Sequence, residues 1–566
     1  MLRLFDTHHI RGCRELDGMW DFMPSNEKAL PDRFDYTLPV PGCWEGHPSF
    51  SKYKGIGYYR RKVFLEGKKN LRLEFKGVSH TADVYWDGRF AGHHYNAYTP
   101  FSVIIPEAEP GGHEIVVRAD NSFSEASALH IPNDYYSYGG ILRPVSLEEI
   151  DEVFIERVWF TPKRSQGIWK ANIKVYLRNL ASEPRNADVR CLLNKKACLS
   201  ESICVEASGS AIVEKECAFE DTEEIKEWTP EAPNLYLLET VLRDPASQKP
   251  LDDSIERVGF RTVTVSGKDI LLNGRPVTLK GFNRHEAYAR LGSAVPLQVM
   301  AEDLFMMRDM GANMVRTCHY PNDEVFLDLC DETGFLVWEE NHARGLSLEQ
   351  MQNPNFEKQC EDCIREMLEN HYNHPSIIIW AILNECASHT PEGREMYKKQ
   401  FDQIRAMDKT RPLTAACCHH FRELCYDLCD IVSMNIYSGW YQDVSVGEYY
   451  EKLISHVENT GGKNKPVIIS EFGGGAIYGY RDPSRVKWSE ERQADILEDC
   501  IRYYSGREEI KGLIIWQFAD CRVDEQWFGT RPRTMNNKGV VDEYRRPKLA
   551  YETVKRLWGG GTASKI

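Results

Sequence analysis

Ile377-Ile378-Ile379-Trp380-Ala381-Ile382-Leu383-Asn384-Glu385 and Pro466-Val467-Ile468-Ile469-Ser470-Glu471-Phe472-Gly473 are two apolar runs that each lead into a glutamate. The runs are continuous rather than alternating, which is typical of parallel strands buried on both faces. A carboxylate at the end of such a strand is costly unless it is paired or used in chemistry. Because the two glutamates are 86 positions apart, they predict a barrel rim where distant strand ends meet, with either a catalytic pair or structural ion pairs.

Eight such apolar runs recur in the second half of the chain, with helical stretches between them. The runs span residues 277–280, 313–317, 335–339, 377–383, 413–417, 431–436, 467–470 and 513–518. Helical patterns span residues 297–310, 324–332, 356–372, 394–407, 448–458 and 490–504. This alternation over about 290 residues predicts a closed (β/α)8 TIM barrel, which we place at residues 266–566.

The first 265 residues have a different pattern. Short alternating runs are separated by Gly, Pro, Asn and Asp, as in antiparallel β-sandwiches. The clearest runs span residues 70–75, 82–86, 113–118, 153–160, 171–177 and 237–242. The length predicts two β-sandwiches, at residues 1–150 and 151–265. The fold class is therefore multidomain, all-β in the first half and α/β in the second.

The composition excludes some kinds of partner. The net charge of −15, from 85 acidic and 70 basic residues, argues against nucleic acid and against a polybasic membrane surface. The first six residues lack the apolar core of a signal peptide, and no run approaches the roughly 18 apolar residues that span a bilayer. We expect a cytoplasmic protein without a membrane segment, unless a signal peptide has been removed.

The cysteines predict reduced thiols. There are 17 of them, an odd number at irregular spacing, which argues against a disulfide framework. Cys360-Glu361-Asp362-Cys363 and Cys417-Cys418-His419-His420 have spacings that metal sites use. The first lies in an amphipathic helical pattern without a second pair, and the second follows a barrel strand where only some side chains converge. The sequence therefore predicts no metal and no cofactor.

Four sequence blocks follow one another in the second half. They are Gly281-Phe282-Asn283-Arg284-His285-Glu286, then NMVRTCHYP at 313–321, then Asn373-His374-Pro375-Ser376 leading to Asn384-Glu385, and Ser470-Glu471-Phe472-Gly473. Together they resemble glycoside hydrolase family 2. Residues 16–22, 39–44 and 228–236 are similar to motifs in that family's first two domains. The resemblance covers nearly the whole chain and implies a jelly-roll-like sugar-binding domain, then an immunoglobulin-like domain, then the barrel.

The resemblance implies a retaining exo-glycosidase acting on terminal β-D-glucuronides. The glycosidic bond breaks through an oxocarbenium-like state, so one carboxylic acid must protonate the leaving oxygen while a carboxylate attacks the anomeric carbon. Double displacement needs the two carboxyl groups about 5 to 5.5 Å apart. By position, Glu385 matches the family's acid/base and Glu471 its nucleophile. The residues alone leave the assignment of these two roles open.

Three polar residues near the glutamates fit supporting roles. Asn384 can donate to the sugar 2-hydroxyl, or it caps a helix or loop. Tyr437 and Arg316 stand near the ends of other strands. Each can hydrogen-bond the nucleophile and keep it ionised, or can satisfy a buried backbone group instead.

Ring side chains near the strand ends are candidates for the pocket wall. Trp516 can stack against the sugar, or it belongs to the barrel core. We expect His285 and His319 to line the pocket as hydrogen-bond partners. The rival interpretation, metal binding together with His342, lacks the close spacing that makes a metal motif specific.

The segment Asn536-Asn537-Lys538-Gly539 bears on substrate choice. An Asn, any residue and then Lys after the eighth strand resembles the feature that marks β-glucuronidases in this family, with Asn536 and Lys538 directed at the C6 carboxylate. A Lys charge and an Asn amide suit a carboxylate that neutral hexoses lack, although Asn and Lys are also common in exposed loops. Tyr441 and Arg533 are further candidates for contact with the acid group.

The segment from Asp134 to Ile141 resembles a loop by which the first sandwich reaches the barrel mouth in this family. Asp134 is then a candidate contact to a sugar hydroxyl, while aromatic loops with Gly also occur at ordinary domain interfaces.

Three alternatives to β-glucuronide hydrolysis remain from the sequence. They are a β-galacturonidase, a β-galactosidase, and a carbohydrate-binding protein without turnover, against which both glutamates speak. The expected partner is a small-molecule glycoside, either a glucuronide conjugate or an oligosaccharide end. The relatives also lead us to expect a homo-oligomer.

Overall fold

The first sandwich consists of a four-stranded sheet facing a six-stranded sheet, both antiparallel. The structure is a computed structural model that describes residues 2–27, 29–219 and 225–559. Met1 and Ile566, the outer limits of the predicted domains, lie outside these ranges. The strands are β1 (Gly12–Glu15), β2 (Gly18–Ser25), β3 (Tyr36–Val40), β4 (Ile56–Leu65), β5 (Lys69–Phe75), β6 (Val78–Ser79), β7 (Thr81–Trp86), β8 (Arg89–Tyr95), β9 (Phe101–Ala108), β10 (Gly111–Asp120), β11 (Gly140–Ile141) and β12 (Val145–Ile150).

The inner faces of these two sheets form one apolar core. Strand β7 alternates strictly between buried and half-buried side chains, so its apolar residues point to one face. The sheets are ordered β1-β12-β5-β9 and β3-β2-β4-β10-β7-β8, with β6 and β11 forming a separate pair. Trp20, Phe22 and Tyr59 are among the fully buried side chains between them.

The second sandwich has a three-stranded and a four-stranded sheet. Its strands are β13 (Val153–Ser165), β14 (Ile168–Asn179), β15 (Arg185–Leu193), β16 (Lys196–Val205), β17 (Ser210–Phe219), β18 (Tyr236–Arg243) and β19 (Pro250–Val258). The orders β13-β14-β17 and β16-β15-β18-β19 give the three-plus-four arrangement of immunoglobulin-like folds. A small sheet of β20 (Val263–Ser266), β21 (Asp269–Leu272) and β22 (Arg275–Pro276) precedes the barrel.

Parallel strands then close into a barrel. They are β23 (Leu279–Asn283), β24 (Met314–Thr317), β25 (Leu336–Glu340), β26 (Ile377–Ala381), β27 (Leu413–Thr414), β28 (Ala416–Cys417), β29 (Val432–Asn435), β30 (Val467–Glu471) and β31 (Ile510–Ile515). The fifth predicted strand is divided at Ala415: β27 pairs with β26, while β28 pairs with β29. The two halves thus join the ends of the sheet, and the predicted (β/α)8 barrel is confirmed.

Amphipathic helices surround the barrel, as the 3.6-residue periodicity predicts. They are α1 (Leu297–Asp309), α2 (Glu324–Thr333), α3 (Leu348–Met351), α4 (Phe356–His371), α5 (Pro391–Met407), α6 (Val446–Asn459), α7 (Glu490–Ser505) and α8 (Leu549–Trp558). A short antiparallel pair, β32 (Cys521–Arg522) and β33 (Met535–Asn536), follows the last barrel strand. Short 3₁₀ helices lie at Trp44–Gly46, Pro48–Phe50, His420–Arg422, Glu525–Thr530 and Pro532–Thr534.

A loop of the first sandwich crosses to the carboxyl-terminal face of the barrel. The backbone N–H of Asn133 donates to Asp524 Oδ2 at 3.0 Å, and Asp524 N–H donates back to the Asn133 carbonyl at 3.1 Å. Farther on, Arg143 forms a buried salt bridge of 2.6 Å with Glu286. These contacts hold the loop between them, with Asp134, over the barrel mouth.

The cysteines and the helices agree with the predictions made from the sequence. All 17 cysteines are free thiols, as their irregular spacing predicts. Over the described ranges, no helix combines the length and the apolarity needed to cross a bilayer.

Candidate active site

Glu385 and Glu471 both lie at the carboxyl-terminal ends of barrel strands. Glu471 is the last residue of β30, and Glu385 follows β26 by four residues. The backbone of Glu385 has a φ of 54°, a left-handed conformation that is uncommon for a residue with a side chain and often occurs at functional sites. Both carboxyl groups line one cavity of about 240 Å³, so the strand ends meet as the sequence predicts.

Glu471 receives two hydrogen bonds. Tyr437 Oη donates to Oε2 at 2.7 Å, and Arg316 Nη1 donates to Oε1 at 3.1 Å. Burial, followed by the negative charge of Glu385, raises the pKa of Glu471 to about 8, while Arg316 and Tyr437 act in the opposite direction. The raised pKa thus comes first from the loss of solvent around the carboxylate and second from repulsion by a nearby negative charge. Glu471 is therefore protonated more easily than an exposed glutamate.

Arg316 is fixed in place beneath the nucleophile candidate. Its guanidinium binds Glu340 through two hydrogen bonds of 2.9 Å and lies 4.8 Å from the centre of the Trp338 ring. It also donates to Asn283 Oδ1 at 2.9 Å and to Asn384 Oδ1 at 2.8 Å. A bidentate, fully buried arginine of this kind has little freedom to move, so it can orient several site residues at once.

Asn384 and Glu385 both accept hydrogen bonds from Asn435. Its amide donates to Glu385 Oε1 at 2.8 Å and to Asn384 Oδ1 at 3.2 Å. The Asn384 amide nitrogen is buried and has no hydrogen-bond partner within the described residues. Asn384 thus makes no helix cap, and its free N–H₂ group is available to a ligand hydroxyl. Its predicted contact to the sugar 2-hydroxyl stays a prediction.

Trp516 and His319 form the aromatic side of the site. Trp516 lines the cavity and stacks on His319 with a ring separation of 5.1 Å and an angle of 15°. His319 Nδ1 lies 2.7 Å from Glu340 Oε1. The His285 ring lies 5.5 Å from Trp516, edge-on, so both histidines sit beneath the cavity wall rather than on it.

Lys538 is a buried cation at the opposite side of the cavity. It is 3% exposed, and its Nζ lies 5.2 Å from the centre of the Tyr441 ring. Burial acts to raise the pKa of Tyr441, but the Lys538 ammonium outweighs it and the net shift is downward. Within the part of the chain that the structure describes, no carboxylate forms a salt bridge with Lys538.

The Lys538 loop is held rigidly from below. Lys548 Nζ donates to Asp520 Oδ1 at 2.7 Å and to the Asn537 carbonyl at 3.2 Å, and Gly539 N–H donates to Asp520 Oδ1 at 2.8 Å. Gly539 is required because a Cβ there would lie 2.3 Å from the Asp520 nitrogen. The orientation of Lys538 is therefore set by buried polar contacts and not by the loop alone.

Asp134 enters the site from the first sandwich. It forms salt bridges of 3.4 Å with Arg344 and 3.3 Å with Arg531, and Asn536 Nδ2 donates to its Oδ2 at 3.2 Å. Burial acts to raise the pKa of Asp134, but Arg344 and the other nearby cations hold it well below its usual range. Arg344 also lies 3.4 Å from Glu385 Oε2, so it links Asp134 to the catalytic candidates.

Two parts of the chain match models of known protein domains. Residues 263–561 match the TIM barrel domain of glycosyl hydrolases family 2, and residues 153–261 match a second domain described as glycosyl hydrolases family 2. The chain belongs to glycoside hydrolase family 2.

Three relatives of this family 2 hydrolase are named for activity on three different sugars. A β-galacturonidase from Eisenbergiella tayi, solved with galacturonate, is 49% identical and matches with a TM-score of 0.95 over 99% of each chain. A β-galactosidase from Thermoanaerobacterium thermosulfurigenes is 29% identical, covering 96% of this chain and 73% of that protein. A β-glucuronidase from Streptococcus agalactiae is 25% identical, covering 97% and 96% respectively. Membership of the family therefore leaves the sugar open.

Most of the predicted site residues of the family 2 enzyme come together. The predicted residues that line the cavity are Asp134, Glu385, Tyr437, Tyr441, Glu471, Trp516 and Lys538. Asn384, His319, Asn536 and Arg316 lie directly behind them through the hydrogen bonds described above. Further lining residues that sequence reasoning missed are Arg344, Cys418, His420, Asn435 and Gln442.

Arg533 lies apart from the other predicted residues. Its guanidinium pairs with Glu543, and it does not line the cavity, whereas Arg531, two residues earlier, reaches Asp134. The segment Arg531-Pro532-Arg533 offers two arginines of similar spacing from Lys538, and the sequence carries no signal that separates them. Arg344 follows the end of β25 by four residues, as Glu385 follows β26. This position could have identified it as a residue of the barrel rim.

Proposed function

We propose that this enzyme hydrolyses terminal β-D-hexuronides with retention of configuration, and that galacturonides are its preferred substrates. The proposed specificity for uronides rests on the buried charge of Lys538. A buried ammonium without a carboxylate partner is unfavourable unless a ligand supplies the negative charge. The C6 carboxylate of a uronide does so, whereas the C6 hydroxymethyl group of a galactoside does not.

Asn536 and Tyr441 are two other predicted contacts of the substrate carboxylate beside Lys538. Asn536 Nδ2 donates to Asp134 Oδ2 at 3.2 Å, so the amide can donate to a substrate carboxylate only in exchange for that contact, because its unpartnered Oδ1 is an acceptor. The phenol of Tyr441 lies beside the ammonium, which favours its ionised form. A uronate that binds Lys538 would take over this role from Tyr441, since a carboxylate is the stronger partner of an ammonium.

The chemistry follows from the two glutamates. Glu471 attacks the anomeric carbon and forms a glycosyl ester while Glu385 gives its proton to the leaving oxygen. Glu385 then removes a proton from water, which attacks the same carbon and frees Glu471. This sequence needs Glu471 to be ionised and Glu385 to carry a proton when the substrate binds. The hydrogen bonds from Tyr437 and Arg316 to Glu471 favour its ionised form and so support that placement.

The similarity to the Eisenbergiella tayi β-galacturonidase favours galacturonides. That protein shares 49% of its residues with this chain, against 25% for the Streptococcus agalactiae β-glucuronidase. The second candidate is β-glucuronide hydrolysis, which the Asn536–Lys538 motif predicts and which agrees with the activity named for several relatives at 25 to 28% identity. The two sugars differ only in the configuration at C4, so both bring the same charge to Lys538.

The test compares aryl β-galacturonide, β-glucuronide and β-galactoside at equal concentration. We expect the galacturonide to have the highest kcat/KM, the glucuronide to follow, and the galactoside to be lowest. Proton NMR of the first product formed should show the β-anomer. A galactoside that is turned over as well as the uronides would refute the uronide proposal, and an α-anomer as the first product would refute retention.

A further inference from the structure

A group of metal-binding side chains lies beneath the cavity, apart from the residues that hold the uronate. His285, Cys318 and His319 each offer one ligand atom, and these atoms lie within 4.8 Å of one another. All three residues are buried. They come together because His285 follows β23 and the Cys318-His319 pair follows β24, and these two strands are parallel neighbours.

The two histidines are oriented as metal ligands usually are. His319 Nδ1 lies 2.7 Å from Glu340 Oε1, closer than the 3.3 Å to Arg316 Nη2, so this nitrogen carries the proton and donates to the carboxylate. His285 Nδ1 lies 3.2 Å from Tyr320 Oη. A histidine held through one nitrogen by a carboxylate presents the lone pair of the other nitrogen, which is the common arrangement around protein-bound metals.

The opposite nitrogens of both histidines are unused. His285 Nε2 and His319 Nε2 are buried and have no hydrogen-bond partner among the residues that the structure describes. A carboxylate also approaches, because Glu471 Oε1 lies 3.9 Å from His319 Nε2. The cluster thus contains two imidazole nitrogens without a hydrogen-bond partner and one thiol, with a carboxylate at its edge, and these are the donor types that Zn²⁺ accepts.

We propose that His285, Cys318 and His319 bind a thiophilic divalent cation such as Zn²⁺, with Glu471 as the fourth ligand, and that the bound ion inhibits the enzyme. Binding converts the Cys318 thiol to a thiolate and releases one proton to water. The thiolate and the Glu471 carboxylate then balance the two positive charges of the ion. Because the ion holds the nucleophile, sugar and metal compete for the same space.

The fit requires a modest contraction. Ligand atoms around tetrahedral zinc lie about 3.3 to 3.8 Å apart, given bonds of about 2.0 to 2.3 Å, so the atoms of His285, Cys318 and His319 must close by roughly 1 Å. The Glu471 carboxylate lies outside this 4.8 Å group and must move towards it when the ion binds. The nearby positive charge of Arg316 does not oppose this, because Glu340 neutralises it through two hydrogen bonds.

A second group of potential metal ligands is already neutralised by arginines. Asp328, Asp331 and His374 also lie within ligand distance of one another. However, Asp328 already binds the guanidinium of Arg3 at 2.8 Å and lies 3.3 Å from that of Arg257. Its negative charge is neutralised within the protein, and it therefore carries no comparable proposal.

Cobalt titration of the full-length protein tests the site directly. Co²⁺ takes the same ligands as Zn²⁺, and a thiolate–cobalt bond gives a charge-transfer band in the near ultraviolet. We expect one equivalent of Co²⁺ to produce this band and Zn²⁺ to remove it. We expect the band to be absent in Cys318→Ser and present in Cys500→Ser, a matched control for a buried thiol in α7. A band that survives in Cys318→Ser, or no band in the unaltered protein, would overturn the proposal.

Inhibition kinetics supply a second readout. We expect Zn²⁺ to raise the apparent KM and leave kcat unchanged, and Cys318→Ser to need at least about ten times more Zn²⁺ for half inhibition, equivalent to about 1.4 kcal/mol. Equal inhibition of both proteins would mean that Zn²⁺ acts elsewhere and would refute the site. If Cys318→Ser does not fold, His285→Asn replaces it in the cobalt titration, with an expected loss of at least about tenfold in cobalt affinity. An unchanged affinity in that variant would contradict the proposal.

Discussion

Replacing Lys538 by methionine should change activity and stability in opposite directions. The methionine keeps the length and the apolar part of the side chain but removes the charge. Truncating one partner of a buried charge pair costs about 2 to 5 kcal/mol, so binding of the uronide transition state should weaken by that amount. At about 1.4 kcal/mol for each factor of ten, kcat/KM for the galacturonide should fall by roughly 30-fold to several thousand-fold.

The galactoside separates loss of charge recognition from general damage. It brings no carboxylate, so its kcat/KM should change by less than about threefold, and the uronide-to-galactoside ratio should collapse. Arg533→Met is the matched control. It also removes a cation from this segment, but Arg533 pairs with Glu543 outside the cavity. A fall below tenfold for the galacturonide, or an equal fall for both substrates, would refute our account of Lys538.

Without a ligand, Lys538→Met should unfold at a higher temperature than the unaltered protein. Lys538 is 3% exposed. No described carboxylate forms a salt bridge with it, Asp134 interacts with its charge only at longer range, and its ring contacts with Tyr441 and Tyr437 return only about 0.5 to 2 kcal/mol. Saturating galacturonate, at about 100 times its Kd, should stabilise the unaltered protein by about 2.7 kcal/mol and the variant much less. A variant that melts lower without ligand and responds equally to galacturonate would contradict this reasoning.

The remaining predictions concern the carboxylate pair. Glu385→Gln and Glu471→Gln should each lower kcat by more than about 1,000-fold with native circular dichroism. With an aryl leaving group that needs no protonation, only Glu385→Gln should recover kcat/KM, which reports the first step, while its kcat stays low because the second step still lacks a base; an unchanged rate in either variant would overturn its role. Tyr437→Phe removes a donor that favours ionised Glu471, so the acidic limb of the kcat/KM profile should move to higher pH by about one unit; a fixed limb would contradict the 2.7 Å hydrogen bond. The pKa of Glu471 is about 8 in the folded protein and near 4.5 when unfolded, so its protonation stabilises the fold fully below pH 4.5 and this contribution is lost as the pH rises through 8. Glu471→Gln should therefore melt above the unaltered protein at pH 9, with the difference shrinking towards pH 5, and a constant difference would argue against the raised pKa.

The barrel was predictable because its strands are doubly buried. Residues in β26 and β30 are fully buried without alternation, and continuous apolar runs report that directly. The division of the fifth strand at Ala415 was not predictable, since it depends on how the two halves pair with β26 and β29. Register and closure are tertiary properties that no local pattern contains.

The site was predictable where it lies on strand ends and less so where it lies on loops. Glu385 and Glu471 follow apolar runs and were found from the sequence. The choice between Arg531 and Arg533 depends on a turn in which Arg533 takes a φ of 60°, which points the two side chains in different directions. The position of Arg344, four residues after β25, could have indicated that it lies at the rim, but not its partners Asp134 and Glu385, which are distant in sequence.

The entry of Asp134 into the barrel mouth makes the catalytic domain dependent on its neighbour. An isolated barrel would leave the guanidinium groups of Arg344 and Arg531 and the amide of Asn536 without the acceptor that they share. These three donors would then compete with Lys538 for the substrate carboxylate, and the two guanidinium groups would repel each other. Gene fusions or domain exchanges that keep the barrel but replace the first sandwich would therefore lose function at the site itself, however well each part folds. The unit that evolution can recombine in this protein is the whole chain.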